Sequence, residues 1–382
     1  MYRLNEKQTA LIEQIRRLAD ENIAPNAAEV DEKGRFPRDS VKALAKHGFL
    51  GLTIPLEYGG LGEGMRMSCA VLEEIARRCA STGMVYLMHL CGCACYTAHP
   101  KGHEETMRQA ARGEHLSTLA WSEKGSRSHF WAPVSQGIKQ NGNIILQAQK
   151  SWVTSAGEAD GYVVSTRTPG SEQANDTVLF LVRKEDAGVV VSGEWNSLGM
   201  RGNASAPMNL NQCELPLERA LCEPSQGFPR MLEILPWFNL GNAAISIGIA
   251  EAATQAAASH LTAAKLEHMN SRLSDLPNLR ARLAQMRIET DRARAYVLAT
   301  LDALEESAAN AMLLVLGSKV AGAEAAIRVT DWGMQTCGGA AFSKHLSLER
   351  NFRDARASGV MAPTSDVLHE FVGRALCGMN LF

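Results

Sequence analysis

Apolar residues recur at helical spacing near the N-terminus, first as Leu11, Ile12, Ile15 and Leu18, then as Val71, Leu72, Ile75, Ala76 and Cys79. Each set forms one apolar face, so residues 1–115 read as a helical unit. Between the two sets, Pro55-Leu56-Glu57-Tyr58-Gly59-Gly60-Leu61-Gly62 is a turn-rich loop. The period then changes. Short β-prone runs appear at Ile144–Leu146, Gly161–Val164, Thr177–Val182 and Gly188–Val191, separated by turn sets such as Asn141-Gly142-Asn143 and Pro169-Gly170-Ser171. This predicts a small antiparallel sheet unit over residues 116–222. Beyond it the chain is alanine-rich with long periodic segments at Ala243–Ala264, Leu279–Glu306 and Asn310–Gln335. Long helices with short connections predict a four-helix bundle over residues 223–382. The fold class is therefore α+β, mainly α, in the order helices, sheet, bundle.

A chain of 382 residues exceeds one small core, and two or three packed units are expected. Hydrophobic content is 46% and net charge −2, with 39 Lys and Arg against 41 Asp and Glu. No basic excess draws nucleic acid or an anionic membrane. No apolar run is long enough to span a bilayer, and Met1–Lys7 lacks the apolar core of a signal peptide, so a cytoplasmic enzyme-like protein is expected. The nine cysteines leave that picture unchanged. Cys91, Cys93 and Cys95 lie two apart rather than at zinc-knuckle spacing. His89 with Cys93, and Cys95 with His99, could share a helix face, but buried reduced thiols and no metal are expected.

Several motifs punctuate this framework: Pro55-Leu56-Glu57-Tyr58-Gly59-Gly60, Ala120-Trp121-Ser122-Glu123, Lys150-Ser151-Trp152-Val153-Thr154-Ser155, Leu198-Gly199-Met200-Arg201-Gly202, Gln335-Thr336-Cys337-Gly338-Gly339 and Arg353-Asp354-Ala355-Arg356. In that order, across nearly the whole chain, they resemble the acyl-CoA dehydrogenase family. The resemblance implies an FAD cofactor and an acyl thioester substrate on CoA or a carrier protein. It also implies a homo-oligomer, tetramer or dimer, and an electron-transfer partner. Trp121, Ser122, Trp152 and Thr154 then fall at the flavin rings. Gln335, Gly338 and Gly339 fall at the adenine half of a neighbouring subunit's FAD, and Thr364 falls at the cofactor too. Ser128, Asn239 and Ala362 fall at the substrate. The residue types suit those places, because hydroxyls can hydrogen-bond a flavin rim, indole offers a flat face, and glycine lets backbone approach closely.

The resemblance fails at its chemical centre. The family continues from Arg-Asp-Ala-Arg to Tyr-Glu-Gly-Thr, whose Glu removes the substrate's α-proton. Here those positions hold Met361, Ala362, Pro363 and Thr364. An alanine methyl takes no proton, and losing a positioned base costs on the order of a hundred- to ten-thousand-fold in rate. The Ala362 backbone N–H survives to polarise a carbonyl, and Pro363 biases Ala362 toward extended backbone. The family's alternative base position falls at Phe238, and its neighbouring Arg at Asn239. The Arg that reaches the FAD pyrophosphate falls at Leu266, with His268 or Arg272 as possible substitutes. Ser126-Arg127-Ser128-His129 instead brings new polar groups near the expected thioester. Arg127 could hold an anionic acyl group, and His129 or His89 could accept a proton; the competing readings are a solvated polar loop for residues 126–129 and, preferred for His89, a satisfied core histidine.

Three functions fit these residues. One is dehydrogenation of an acyl thioester with a relocated or absent base. Another keeps the fold but not that reaction, as in a desulfinase-like redox-neutral elimination or a flavin monooxygenase. The third is a degenerate, non-catalytic paralogue.

Overall fold

The computed structural model describes residues 2–127 and 129–381. The N-terminal unit contains α1 (Glu6–Leu18), α2 (Ala27–Lys33), α3 (Arg38–Lys46), α4 (Met65–Ala76), α5 (Ala80–Ala98) and α6 (Glu104–Ala111). Helix α1 begins at a reciprocal cap: Asn5 Oδ1 accepts the Gln8 N–H at 2.9 Å and Gln8 Oε1 accepts the Asn5 N–H at 3.2 Å. Its Ile12, Ile15 and Leu18 enter the core, as their spacing predicts. The Pro55–Gly60 loop forms a short 3₁₀ turn over Leu56–Tyr58. Its second glycine is a packing requirement, since a Cβ on Gly60 would lie 2.1 Å from the Ile54 carbonyl oxygen. Eight of the nine cysteines are buried and Cys377 is exposed.

The middle unit contains β1 (Ser117–Ala120), β2 (Ile138–Gln140), β3 (Asn143–Val153), β4 (Gly161–Arg167), β5 (Thr177–Arg183), β6 (Val189–Val191) and β7 (Ala206–Pro216). The expected antiparallel unit is present, with one departure in its pairing. There are two sheets, β1-β4-β5 and β2-β3-β7-β6, and β1 runs parallel to β4. A parallel pair cannot be closed by a tight hairpin. The long excursion through β2 and β3 supplies the connection, which local turn signals do not reveal.

In the C-terminal unit, α7 (Gly227–Ala263) leads into a two-stranded hairpin of β8 (Lys265–Leu266) and β9 (Ser271–Arg272). Then come α8 (Pro277–Glu305), α9 (Ala311–Cys337), the short α10 (Gly339–Phe342), α11 (Leu348–Val360) and α12 (Ser365–Leu376). Helices α7, α8, α9 and α11 pack on one another as the predicted bundle, with α12 against α9. Helix α7 also packs against α4 and α5, so a single core of buried side chains runs from the first unit into the third. No helix among the described residues is long and apolar enough to cross a membrane.

Candidate active site

A cavity of about 700 Å³ lies where the three units meet, with walls from α5, the segment after β1, the end of β3, the 197–200 turn, α7 and the segment after α11. Strand β3 builds one wall through a defect. Ile144, Leu146, Ala148 and Lys150 are buried, and strict alternation would bury residue 152 next. A register shift against β7 between Lys150 and Val153 inserts an extra residue, so Val153 is buried and the Trp152 indole stands on the cavity wall, 68% exposed. Trp152 takes φ +57° to do so, a conformation costing on the order of 1–3 kcal/mol for a non-glycine residue. Trp195 meets it edge-on at 5.9 Å and is itself anchored by its indole N–H donating to Met200 O at 3.0 Å.

The neighbouring wall is polar but largely spoken for. Thr154 Oγ1 and Ser205 Oγ are 2.9 Å apart. Among the described residues the Trp121 indole nitrogen is buried with no acceptor, and the Ser122 hydroxyl has no partner. A free hydroxyl and a flat exposed indole would suit a planar heteroaromatic bearing ring nitrogens and carbonyls. Beneath them Lys150 and Glu123 form a buried pair at 2.6 Å. Lys150 also donates to Ser165 O at 2.6 Å, and Glu123 accepts from the Val134 and Ser135 N–H groups and the Ser135 hydroxyl. Burial pushes the Glu123 carboxyl up, but the ammonium and the Ser135 donors outweigh it and hold it below the usual range. It is ionised and fully engaged.

The Arg353-Asp354-Ala355-Arg356 motif is an anchoring device on α11. Arg353 pairs with Asp31 of α2 and with Glu349, and Arg356 pairs with Asp331 and donates to Thr330 Oγ1 at 3.0 Å. Asp354 Oδ1 accepts the Met200 N–H at 2.6 Å, and burial pushes its carboxyl up to about 6. Gly199 permits this dock, because a Cβ there would lie 2.3 Å from Arg353 O. The motif thus joins helix, sheet turn and cavity wall, and delivers Met361, Ala362 and Pro363 to that wall.

Of the groups expected near the substrate, Arg127, Phe238 and Ala362 line the cavity. Arg127 is its only lining guanidinium without a carboxylate partner among the described residues. Among the described residues Glu123 is the only lining carboxylate, and no imidazole lines the cavity. His89 is a satisfied core histidine rather than a proton acceptor at the cavity. It is fully buried, its Nε2 lies 2.7 Å from Leu50 O, its Nδ1 accepts the Ser117 N–H, and burial pulls it down to about 4. His129 is exposed against Trp131, off the cavity wall. Asn239 is also off the wall, buried with its amide donating to Val315 O at 3.3 Å. Ser128 lies outside the described residues.

The remaining expected cofactor residues sit elsewhere on the chain. Gln335 is exposed and accepts from Arg282, while Gly338 and Gly339 join α9 to α10 at the surface. Thr364 caps α12, its hydroxyl accepting the Val367 N–H at 3.4 Å. Leu266 lies in the β8–β9 hairpin, and nearby Arg272 donates to Thr262 O at 3.0 Å. Lys319 escaped the sequence reading although it grips the segment that carries Ala362. Its signal was position: on α9 it falls four residues after Val315 and four before Ala323, on the apolar face.

The sequence matches the descriptions "Acyl-CoA dehydrogenase, N-terminal domain" over residues 5–113, "middle domain" over 118–213 and "C-terminal domain" over 225–377. It is 30% identical to a probable acyl-CoA dehydrogenase of Mycobacterium tuberculosis, covering 98% of this chain and 97% of that protein. It is 27% identical to the cyclohex-1-ene-1-carbonyl-CoA dehydrogenase of Geobacter metallireducens, covering 98% and 99%. The fold is that of the butyryl-CoA dehydrogenase of Megasphaera elsdenii, with TM-score 0.92 at 21% identity over 98% of this chain and 99% of that one.

Proposed function

The chain belongs to the acyl-CoA dehydrogenase family, and from that premise we propose that its cavity binds an acyl thioester beside the flavin and polarises it without a carboxylate base. The observation that carries this reading is Ala362. It lines the cavity where the family's Glu is expected, and its N–H donates to nothing among the described residues. FAD, when bound, supplies a two-electron acceptor for hydride from the substrate's β-carbon. Trp152 offers the rings a face, Ser122 offers a donor for ring heteroatoms, and Trp121 packs on the same wall. The Ala362 N–H stabilises charge growing on the thioester oxygen. Met84, Met88, Leu235 and Phe238 exclude water from the acyl chain. Truncating Trp152→Ala is expected to weaken FAD retention by about tenfold, from the loss of roughly 1 kcal/mol of stacking and its area. Equilibrium dialysis of FAD checks this.

Arg127 favours a second reading, redox-neutral elimination from an acyl group ending in a carboxylate or sulfinate. A free cation on a wall without a free carboxylate suits such an anion. For a sulfinate, the C–S bond breaks with its electron pair left on carbon, a proton takes the vacated position, and sulfur dioxide leaves to hydrate to sulfite. Replacing Arg127→Ala should then lower turnover of 3-sulfinopropionyl-CoA on the order of ten- to a hundred-fold, the value of one charge-assisted hydrogen bond, with the flavin spectrum unchanged. Sulfite release unaffected by the substitution rejects this role.

A further inference from the structure

Lys319 is completely buried, and its ammonium donates to three main-chain carbonyls: Ser358 O at 2.7 Å, Pro363 O at 2.9 Å and Met361 O at 3.0 Å. An ammonium has three N–H donors, so the group is saturated by backbone alone. Burial pulls Lys319 down to about 7, while three converging carbonyl dipoles favour its charged form. The arrangement follows from how α11 ends. At Met361 the backbone turns extended, with φ −67° and ψ 137°, so the Ala362 N–H no longer follows the helix and leaves Ser358 O without its i+4 donor. Lys319 takes that carbonyl in its place, a cation at a helix C-terminus. It then reaches past the helix end to the carbonyls on either side of Ala362.

The consequence lies in one peptide plane. In a planar trans peptide the N–H points opposite to the C=O. Fixing Met361 O on Lys319 therefore turns the Ala362 N–H away from α9. Met361, Ala362 and Pro363 all line the cavity, and the Ala362 N–H has no acceptor among the described residues. We propose that Lys319 is a positioning residue that locks the Met361–Ala362 peptide plane and so aims the Ala362 N–H at the carbonyl of a bound thioester. This rests on reading the cavity as a thioester site. It also accounts for a polar residue that alanine-rich α9 otherwise has no reason to bury: in a site without a base, carbonyl polarisation is what the loop has left to contribute.

The test uses FAD-loaded protein and butyryl-CoA labelled with carbon-13 at the carbonyl, read by isotope-edited Raman difference spectra under anaerobic conditions. The native protein should lower the bound carbonyl's stretching frequency. Lys319→Met, with no donors, should lose most of that shift and lower kcat on the order of a hundred-fold, the value of one oxyanion donor, with KM and the flavin spectrum little changed. Lys319→Gln keeps two donors and should fall between, and it carries the test if the Met variant does not fold. A folded variant with the full native shift overturns the proposal, because a purely structural lysine would alter stability and leave the carbonyl alone. An unshifted carbonyl on native protein overturns the thioester reading instead. In that case the crystal structure of Lys319→Gln decides the positioning claim: a turned 361–362 peptide supports it, and an unmoved plane overturns it.

Discussion

Replacing Ala362→Glu is expected to accelerate anaerobic bleaching of the bound flavin by short acyl-CoAs on the order of a hundred- to ten-thousand-fold, the range a positioned general base contributes. Ala362 lines the cavity, its backbone is held on both sides by Lys319, and the wall offers no free carboxylate or imidazole among the described residues. Glu123 is the only lining carboxylate among the described residues, and its oxygens are committed to Lys150, Val134 and Ser135. A carboxylate introduced at residue 362 would face an apolar surround from Phe238 and Met361, which raises its pKa toward the range useful for catalysis. Stopped-flow absorbance at the flavin band measures the rate. An unchanged rate in a folded, flavin-loaded variant would mean that the Ala362 side chain does not point at the substrate's α-carbon.

The largest loss of stability is expected on breaking the Glu123–Lys150 pair. Both side chains are essentially out of solvent and the pair spans 2.6 Å. Removing one partner leaves an uncompensated buried charge, which costs about 3–5 kcal/mol. Lys150→Met should therefore lower the thermal midpoint by several degrees or more and weaken FAD retention, because Glu123, adjacent to Ser122 in the chain, also pins the 134–135 backbone. Combining Glu123→Gln with Lys150→Met should recover part of the loss, since the amide oxygen still accepts from the Ser135 N–H. The pH dependence has a definite sign. Glu123 is held below its ordinary value in the fold, so its contribution is present above the unfolded carboxylate value near ~4.3 and is lost as pH falls through the lower folded value. Differential scanning calorimetry from neutral to acid pH, native against Lys150→Met, reads both effects. A single variant as stable as the native protein would contradict them.

Much of the fold is legible in the chain because helix faces and strand runs are local signals. Ile12, Ile15 and Leu18, and the long segments of α7, α8 and α9, declare their period without help from distant residues. The parallel pairing of β1 with β4 does not, because a partner more than forty residues away leaves no mark on either strand. Trp152 shows the same limit at one residue's scale. Its motif was readable, but its exposure depends on a bulge set by pairing with β7. For His89 the core reading holds, but an apolar helix gives no sign that its partner is the loop at Leu50. Lys319 was missed for the opposite reason, since a lysine between Ser318 and Val320 reads as solvated until its carbonyl partners are brought from a different helix. The missing Glu, by contrast, needed only the sequence, and the structure adds that nothing on the cavity wall among the described residues stands in for it.

The account is tested most directly by the visible spectrum of the purified protein loaded with FAD and titrated anaerobically with a panel of short acyl-CoAs. The expected result is a yellow protein whose flavin bands are perturbed as the thioester binds and then bleach slowly, far more slowly than in Ala362→Glu. A protein that takes up no FAD, or whose flavin bands stay unchanged across the whole panel, would contradict it.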